Sequence, residues 1–173
     1  MSILANLKPE KVFKYFEEIC SIPHGSHDTK KISDYLKNFA DDRSLECYQD
    51  SDNNIIIIKE ATKGYENSDP IILQGHMDMV CEKTPESTID FKNDGLDIYV
   101  DGDWIKARGT TLGGDNGIAI AMSLAILDSD EYEHPKLEFI ATVDEEVGLL
   151  GACLLYTSPS PRDTERSRMP SSA

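Results

Sequence analysis

Apolar positions in the first forty residues recur at helical spacing. Val12, Phe13, Phe16, Ile19 and Cys20 form one stripe. Pro9 suits the first turn of the helix that carries it, where a missing N–H costs nothing. Residues 21–26 interrupt the pattern with Pro23 and Gly25. Asp28 stands where it would cap a second helix, whose stripe is Ile32, Tyr35, Leu36 and Phe39. The period then shortens: residues 45–49 and 54–58 read as paired strands around a turn at 50–53. After a polar loop at 62–69, Pro70-Ile71-Ile72-Leu73 predicts a short buried strand leading into Gln74-Gly75-His76-Met77-Asp78.

Beyond a second polar loop at 82–94, Leu96, Ile98 and Val100 alternate with polar residues, and Asp101-Gly102 marks a hairpin turn into Trp104-Ile105. Residues 118–127 form an apolar helix opened by Asp115-Asn116-Gly117. Residues 137–143 form another buried strand, which delivers Asp144-Glu145-Glu146. Strands and helices mix without repeats, which predicts an α/β fold with a central mixed sheet flanked by helices.

Three polar clusters stand at the ends of these apolar elements. Positions i and i+2 of an extended chain share a face, so His76 can act as a metal ligand with Asp78 as its orienting carboxylate. The plainer alternative is a satisfied histidine beside a solvated aspartate. Asp115, flanked by Gly113-Gly114 and Gly117, suits a carboxylate bridging two ions in a crowded site, or else a helix N-cap. Glu145 and Glu146 are adjacent, so an extended backbone sends them different ways, one toward a metal and one toward an attacking water as general base. Their alternative is a pair of surface acids. Histidine with carboxylates favours zinc, whereas carboxylates alone would favour magnesium or calcium.

The remaining motifs carry less. His24 and His27 flank Gly25 and read as structural or exposed, and His134 precedes Pro135 in a loop. Residues 90–95 mimic a calcium loop, but Lys92 occupies a ligand position. Gly113-Gly114 lacks the Gly-Lys-Ser/Thr ending of a phosphate cradle, and no Gly-x-Ser-x-Gly elbow occurs.

Composition narrows the partners. Of the 173 residues, 39% are hydrophobic and 28% charged, and the net charge of -15 argues against nucleic acid or an anionic membrane as partner. No apolar run approaches the ~20 residues of a membrane helix. The N-terminus lacks a signal-peptide layout, so the expected location is cytoplasmic. Cys20, Cys47, Cys81 and Cys153 form no Cys-x-x-Cys pair and read as reduced thiols, with Cys81 as buried filler.

Composition breaks after Ala152. Residues 153–173 hold eight Ser and Pro in 21 positions, with three Arg and no histidine. Cys153 through Asp163 resembles the in-frame translation of a transposase-type sequencing adapter. Residues 167–173 resemble the primer site that follows it, with Thr164-Glu165-Arg166 as a barcode. The expectation is that residues 1–152 are natural and that 153–173 are a non-native, disordered tail.

Five segments together resemble the zinc metallopeptidase family of aminoacylases, carboxypeptidase G and tripeptidases, and within it the aminoacyl-histidine dipeptidase branch. They are Leu7-Lys8-Pro9-Glu10-Lys11-Val12-Phe13, Ile22-Pro23-His24-Gly25-Ser26, residues 73–83 around His76-Met77-Asp78, residues 110–117 around Asp115, and Asp144-Glu145-Glu146-Val147-Gly148. The resemblance covers nearly all of residues 1–152. It implies the N-terminal part of a catalytic domain with two Zn2+ ions, Co2+ or Mn2+ being possible substitutes. His76 would bind one ion, Asp78 would orient that histidine, Asp115 would bridge both ions, Glu146 would bind the second ion and Glu145 would be the general base. It implies hydrolysis of dipeptides and a homodimer in intact members. The remaining metal ligands, the rest of the sheet and the dimerisation domain would lie beyond residue 152. The chain alone is therefore expected to be inactive, to bind zinc weakly and to expose a sheet edge. The other readings are a tripeptidase or aminoacylase of the same family, or a non-catalytic acidic module.

Overall fold

The structure, a computed structural model, describes residues 2–157. The first two apolar stripes form α1 (Glu10–Cys20) and α2 (Lys30–Asp42). α1 buries Val12, Tyr15, Phe16, Ile19 and Cys20. Tyr15 meets Phe39 of α2 edge to face, with ring centroids 5.5 Å apart, so an aromatic pair joins the two helices. Pro9 occupies the N-cap of α1. The cap expected at Asp28 does not form. The N-cap of α2 is Thr29, whose φ of -95° and ψ of -2° lie outside the extended region that aims a side-chain acceptor at the first turn, and no side-chain cap bond is made. Asp28 closes a turn instead, its N–H donating to Gly25 O.

The strands β1 (Glu46–Gln49), β2 (Ile55–Lys59), β3 (Ile71–His76) and a later strand at Leu137–Thr142 make one mixed sheet. β4 (Ile98–Asp101) and β5 (Trp104–Ala107) form a separate antiparallel pair, as the hairpin signal predicts. The strand at Leu137–Thr142 is therefore β6, and the sheet order is β1-β2-β6-β3. β2 runs antiparallel to β1 and β6, whereas β3 runs parallel to β6. That last pairing matters most here, because His76 lies opposite Thr142 and both strands end together. Their C-terminal extensions, carrying Asp78 and residues 144–146, emerge side by side, where ligand crevices of open α/β sheets are found.

α3 (Gly114–Leu127) lies against α1 and β3. Gly75 makes its approach to β3 possible, because a Cβ there would stand 3.1 Å from Ile120 Cδ1 and 3.2 Å from Asn116 Oδ1. Ile55, Ile57, Phe139, Leu36 and Leu124 fill the fully buried core between sheet and helices. The strand expected to be buried at residues 70–73 is not: β3 is an edge strand among the described residues, which leaves Ile71 and Ile72 47% and 60% exposed, and only Gly75 and His76 of it are buried. α4 (Leu150–Thr157) crosses the 152/153 junction. Residues 153–157 therefore continue a helix rather than starting a disordered tail, since the apolar run from Leu149 to Leu155 contains no helix breaker after Gly151. The rest of the tail, residues 158–173, lies outside the described residues. Among those described, no helix is long and apolar enough to cross a membrane.

Candidate metal centre

Each predicted cluster reaches the same end of the sheet. His76, the last residue of β3, is 5% exposed. Its Nδ1–H donates to the main-chain oxygen of Asp78 at 3.0 Å, and the Asp78 carboxylate stands 3.4 Å from the same nitrogen. The aspartate thus orients the ring through both its carbonyl and its side chain. With Nδ1 as the donor, Nε2 is left to face Asp115 Oδ1 at 3.1 Å and Glu145 Oε2 at 3.8 Å. A ring lone pair and two carboxylates facing one another make a donor set that a cation can bridge.

Asp115 does not cap α3. The N-cap is Gly113, with φ of 68°, and Asp115 and Asn116 depart from helical geometry within the first turn. The peptide between them is cis. The Asp115 side chain is 83% exposed and turned toward His76 rather than onto the helix N–H groups. Gly113 is required twice over: its φ is left-handed, and a Cβ would lie 2.8 Å from Met79 Sδ and 3.2 Å from His24 Nε2. His24 is itself buried, which pushes its imidazole below the ordinary value, and Nδ1–H donates to Ile22 O. Cys81 is exposed rather than buried filler, although its Sγ fills the space beside Gly25.

Glu146 lies in a turn rather than on the extended backbone expected for the pair. Asp144 adopts a left-handed φ of 53°, and the chain turns back through residues 146–148 into α4. Asp78 holds this turn. Its buried carboxylate accepts Glu145 N–H at 3.0 Å, Glu146 N–H at 3.3 Å and Ser26 Oγ at 2.8 Å. Ligand atoms of His76, Asp115 and Glu146 lie within 4.8 Å of one another. This set of one ring nitrogen and carboxylates fits zinc. A cavity of about 650 Å³ opens beside it, lined by Gln74, Ile140, Glu145 and Leu149 among others, which is within the usual size of small-ligand sites.

Residue spacing gave no warning of two supporting side chains. Ser26 belongs to a segment named above only for its resemblance. Asn54 is buried and joins three elements: its Oδ1 accepts Val143 N–H, and its Nδ2 donates to Gly151 O and to Asp50. A lone Asn at a strand start carries no chemical signal; a Pro-x-Gly-Ser loop close to the N-terminus carries little more.

Comparison with known proteins identifies the family and the fold. Residues 72–163 match the family described as Peptidase family M20/M25/M40. The chain is 43% identical over 152 residues to the cytosol non-specific dipeptidase of Escherichia coli K12, covering 88% of this chain and 31% of that protein. Its fold superposes on the crystal structure of aminoacylhistidine dipeptidase from Vibrio alginolyticus with a TM-score of 0.84 and 40% identity, over 87% of this chain and 31% of the other. Aminopeptidase PepT of Bacillus cereus ATCC 10987 gives a TM-score of 0.67 at 26% identity, over 83% and 39% of the two chains. The chain thus spans about a third of the length of the relatives it matches.

Proposed function

We propose, starting from the fact that this chain belongs to peptidase family M20/M25/M40, that it is the N-terminal part of the catalytic domain of a cytoplasmic, dinuclear zinc dipeptidase. The observation that carries the metal reading is the approach of His76, Asp115 and Glu146 ligand atoms to within 4.8 Å of one another, with Glu145 beside His76 and Asp78 buried behind; that two ions share these residues rests on the family resemblance. In this reading His76 would hold one ion, Glu146 would hold the second and Asp115 would serve both. Bound there, zinc supplies Lewis acidity that lowers the pKa of water and polarises a carbonyl. Asp78 keeps Nδ1 of His76 protonated and so keeps Nε2 free to ligate. Glu145 takes a proton from the attacking water at its carboxylate and passes it to the departing amine nitrogen of the dipeptide. The names of the Escherichia coli and Vibrio relatives support dipeptides, aminoacyl-histidines among them, as substrates. The homodimer, the remaining ligands and the specificity surface belong to sequence outside residues 1–152, and residues 153–173 are read as non-native.

Two measurements test this. The genomic reading frame through codon 152 should continue into further ligand-bearing sequence and not into the tail. Its full-length product should hydrolyse dipeptides and lose that activity by about 10²-fold or more in Glu145→Gln. Full activity in that variant would refute the assignment of the base, and peptide hydrolysis by the purified 173-residue chain would refute its status as an incomplete site.

A further inference from the structure

We propose that His27 is a positioning residue for the turn that carries Glu145 and Glu146, locking Asp144 in the conformation from which both glutamates are presented. The proposal rests on the reading of Glu145 and Glu146 as base and ligand. Its evidence is independent of any metal. The main-chain N–H of His27 donates to Asp144 Oδ1 at 2.6 Å, and Nδ1–H of its ring donates to Asp144 Oδ2 at 3.2 Å. One residue thus engages both oxygens of a carboxylate 117 positions away.

Both partners stand in the left-handed region, His27 at φ 66° and Asp144 at φ 53°. This conformation is costly for residues with a Cβ and persists where hydrogen bonds compensate. At Asp144 it reverses the chain. The reversal lets Asp144 O accept Leu150 N–H at 3.1 Å and Glu145 O accept Gly148 N–H at 3.1 Å. It also turns the N–H groups of Glu145 and Glu146 inward onto Asp78. In an extended conformation at Asp144 those two N–H groups would point elsewhere.

The donor side is itself anchored. Gly25 bridges to Met79, Ser26 N–H donates to Met79 O, and Ser26 Oγ donates to Asp78. The consecutive residues Ser26 and His27 therefore secure the two carboxylates, Asp78 and Asp144, that hold the turn from opposite ends. An exposed His–Asp pair would ordinarily contribute little, and the His27 ring is 65% exposed. Asp144, however, is only 17% exposed. It also receives a backbone N–H, which a loose surface pair lacks.

The test is amide hydrogen exchange on the metal-free 173-residue chain, comparing wild type with His27→Gly, His27→Ala and His27→Asn. Glycine keeps the left-handed backbone and the N–H but removes the ring. Asparagine tolerates the same φ and restores a side-chain donor. The expected result is exchange at Glu145 and Glu146 faster by about tenfold or more in the glycine and alanine variants, with Ile57 and Phe139 changed by less than about threefold and the asparagine variant close to wild type. Unchanged exchange at residues 145 and 146, or an equal acceleration at every amide, overturns the proposal. So does an asparagine variant no better protected than the glycine one. Competition titration with Zn2+ separates this from the metal reading. Affinity should fall about tenfold in His27→Gly and recover in His27→Asn. Equal affinity in wild type and His27→Gly, both above His76→Ala, counts against His27. A wild type that binds no better than His76→Ala counts against the metal reading alone, and the exchange data still decide on His27.

Discussion

Replacing Asp78 by alanine should be among the most damaging single changes outside the hydrophobic core. The carboxylate is fully buried and accepts Glu145 N–H, Glu146 N–H and Ser26 Oγ at 3.0, 3.3 and 2.8 Å. Hydrogen bonds to a charged acceptor contribute ~1.5–3 kcal/mol each, so three amount to several kcal/mol gross. Two terms offset that gain. Burying the carboxylate carries a desolvation cost of several kcal/mol, and water entering the alanine cavity can satisfy part of what is lost. The net expectation for Asp78→Ala is a loss of about 2–4 kcal/mol of unfolding free energy. Asp78→Asn should cost less, about 1–2 kcal/mol. Its Oδ1 still accepts Glu145 N–H, its Nδ2 can donate to Ser26 Oγ, and the bond given up is the long one to Glu146. Urea denaturation of wild type and both variants, followed by far-UV circular dichroism, measures the difference. A cost below ~0.5 kcal/mol for alanine, or asparagine more damaging than alanine, would refute the claim that this carboxylate holds the glutamate turn.

Gly113 and Gly114 are adjacent yet should respond oppositely to alanine. Gly113→Ala meets a left-handed φ and a contact of 2.8 Å with Met79 Sδ, so a loss of about 2–3 kcal/mol is expected. Gly114→Ala has only Leu112 Cδ2 nearby, at 4.0 Å, and should change stability by less than ~0.5 kcal/mol in the same urea assay. Acid sensitivity should centre partly on Asp128, where α1, α2 and α3 meet. Burial raises its pKa, but hydrogen bonds from Tyr15, Arg43 and Lys11 outweigh that and hold it at about 2, against an ordinary 3.8. A depressed carboxyl contributes stability that is fully present above pH 3.8 and is lost as pH falls toward 2. After discounting for partial exposure, that contribution is about 1 kcal/mol. Asp128→Asn should lower stability at pH 6 and flatten its decline between pH 4 and pH 2, and equal declines in the two proteins would exclude the assignment.

Hydrophobic periodicity, continuous apolar runs and turn residues located all four strands of the mixed sheet, the β4–β5 hairpin and helices α1 to α3, because apolar stretches of strand or helix length mark elements whatever their partners are. Residue type and position at element ends likewise singled out His76, Asp78, Asp115, Glu145 and Glu146. Neither could state which strand lies beside which. Only the parallel pairing of β3 with β6, in a register that ends both strands at His76 and Thr142, brings residues 76–78 against residues 144–146. That pairing is a contact between segments some 65 positions apart, which local pattern cannot encode. The reversals at Gly113 and Asp144, the tilt of Asp115 away from its helix, and the anchoring by Ser26, His27 and Asn54 depend on the same kind of contact. Each is a hydrogen bond or a steric limit imposed by a distant segment, so the candidate site residues were legible along the chain while their geometry was decided by packing.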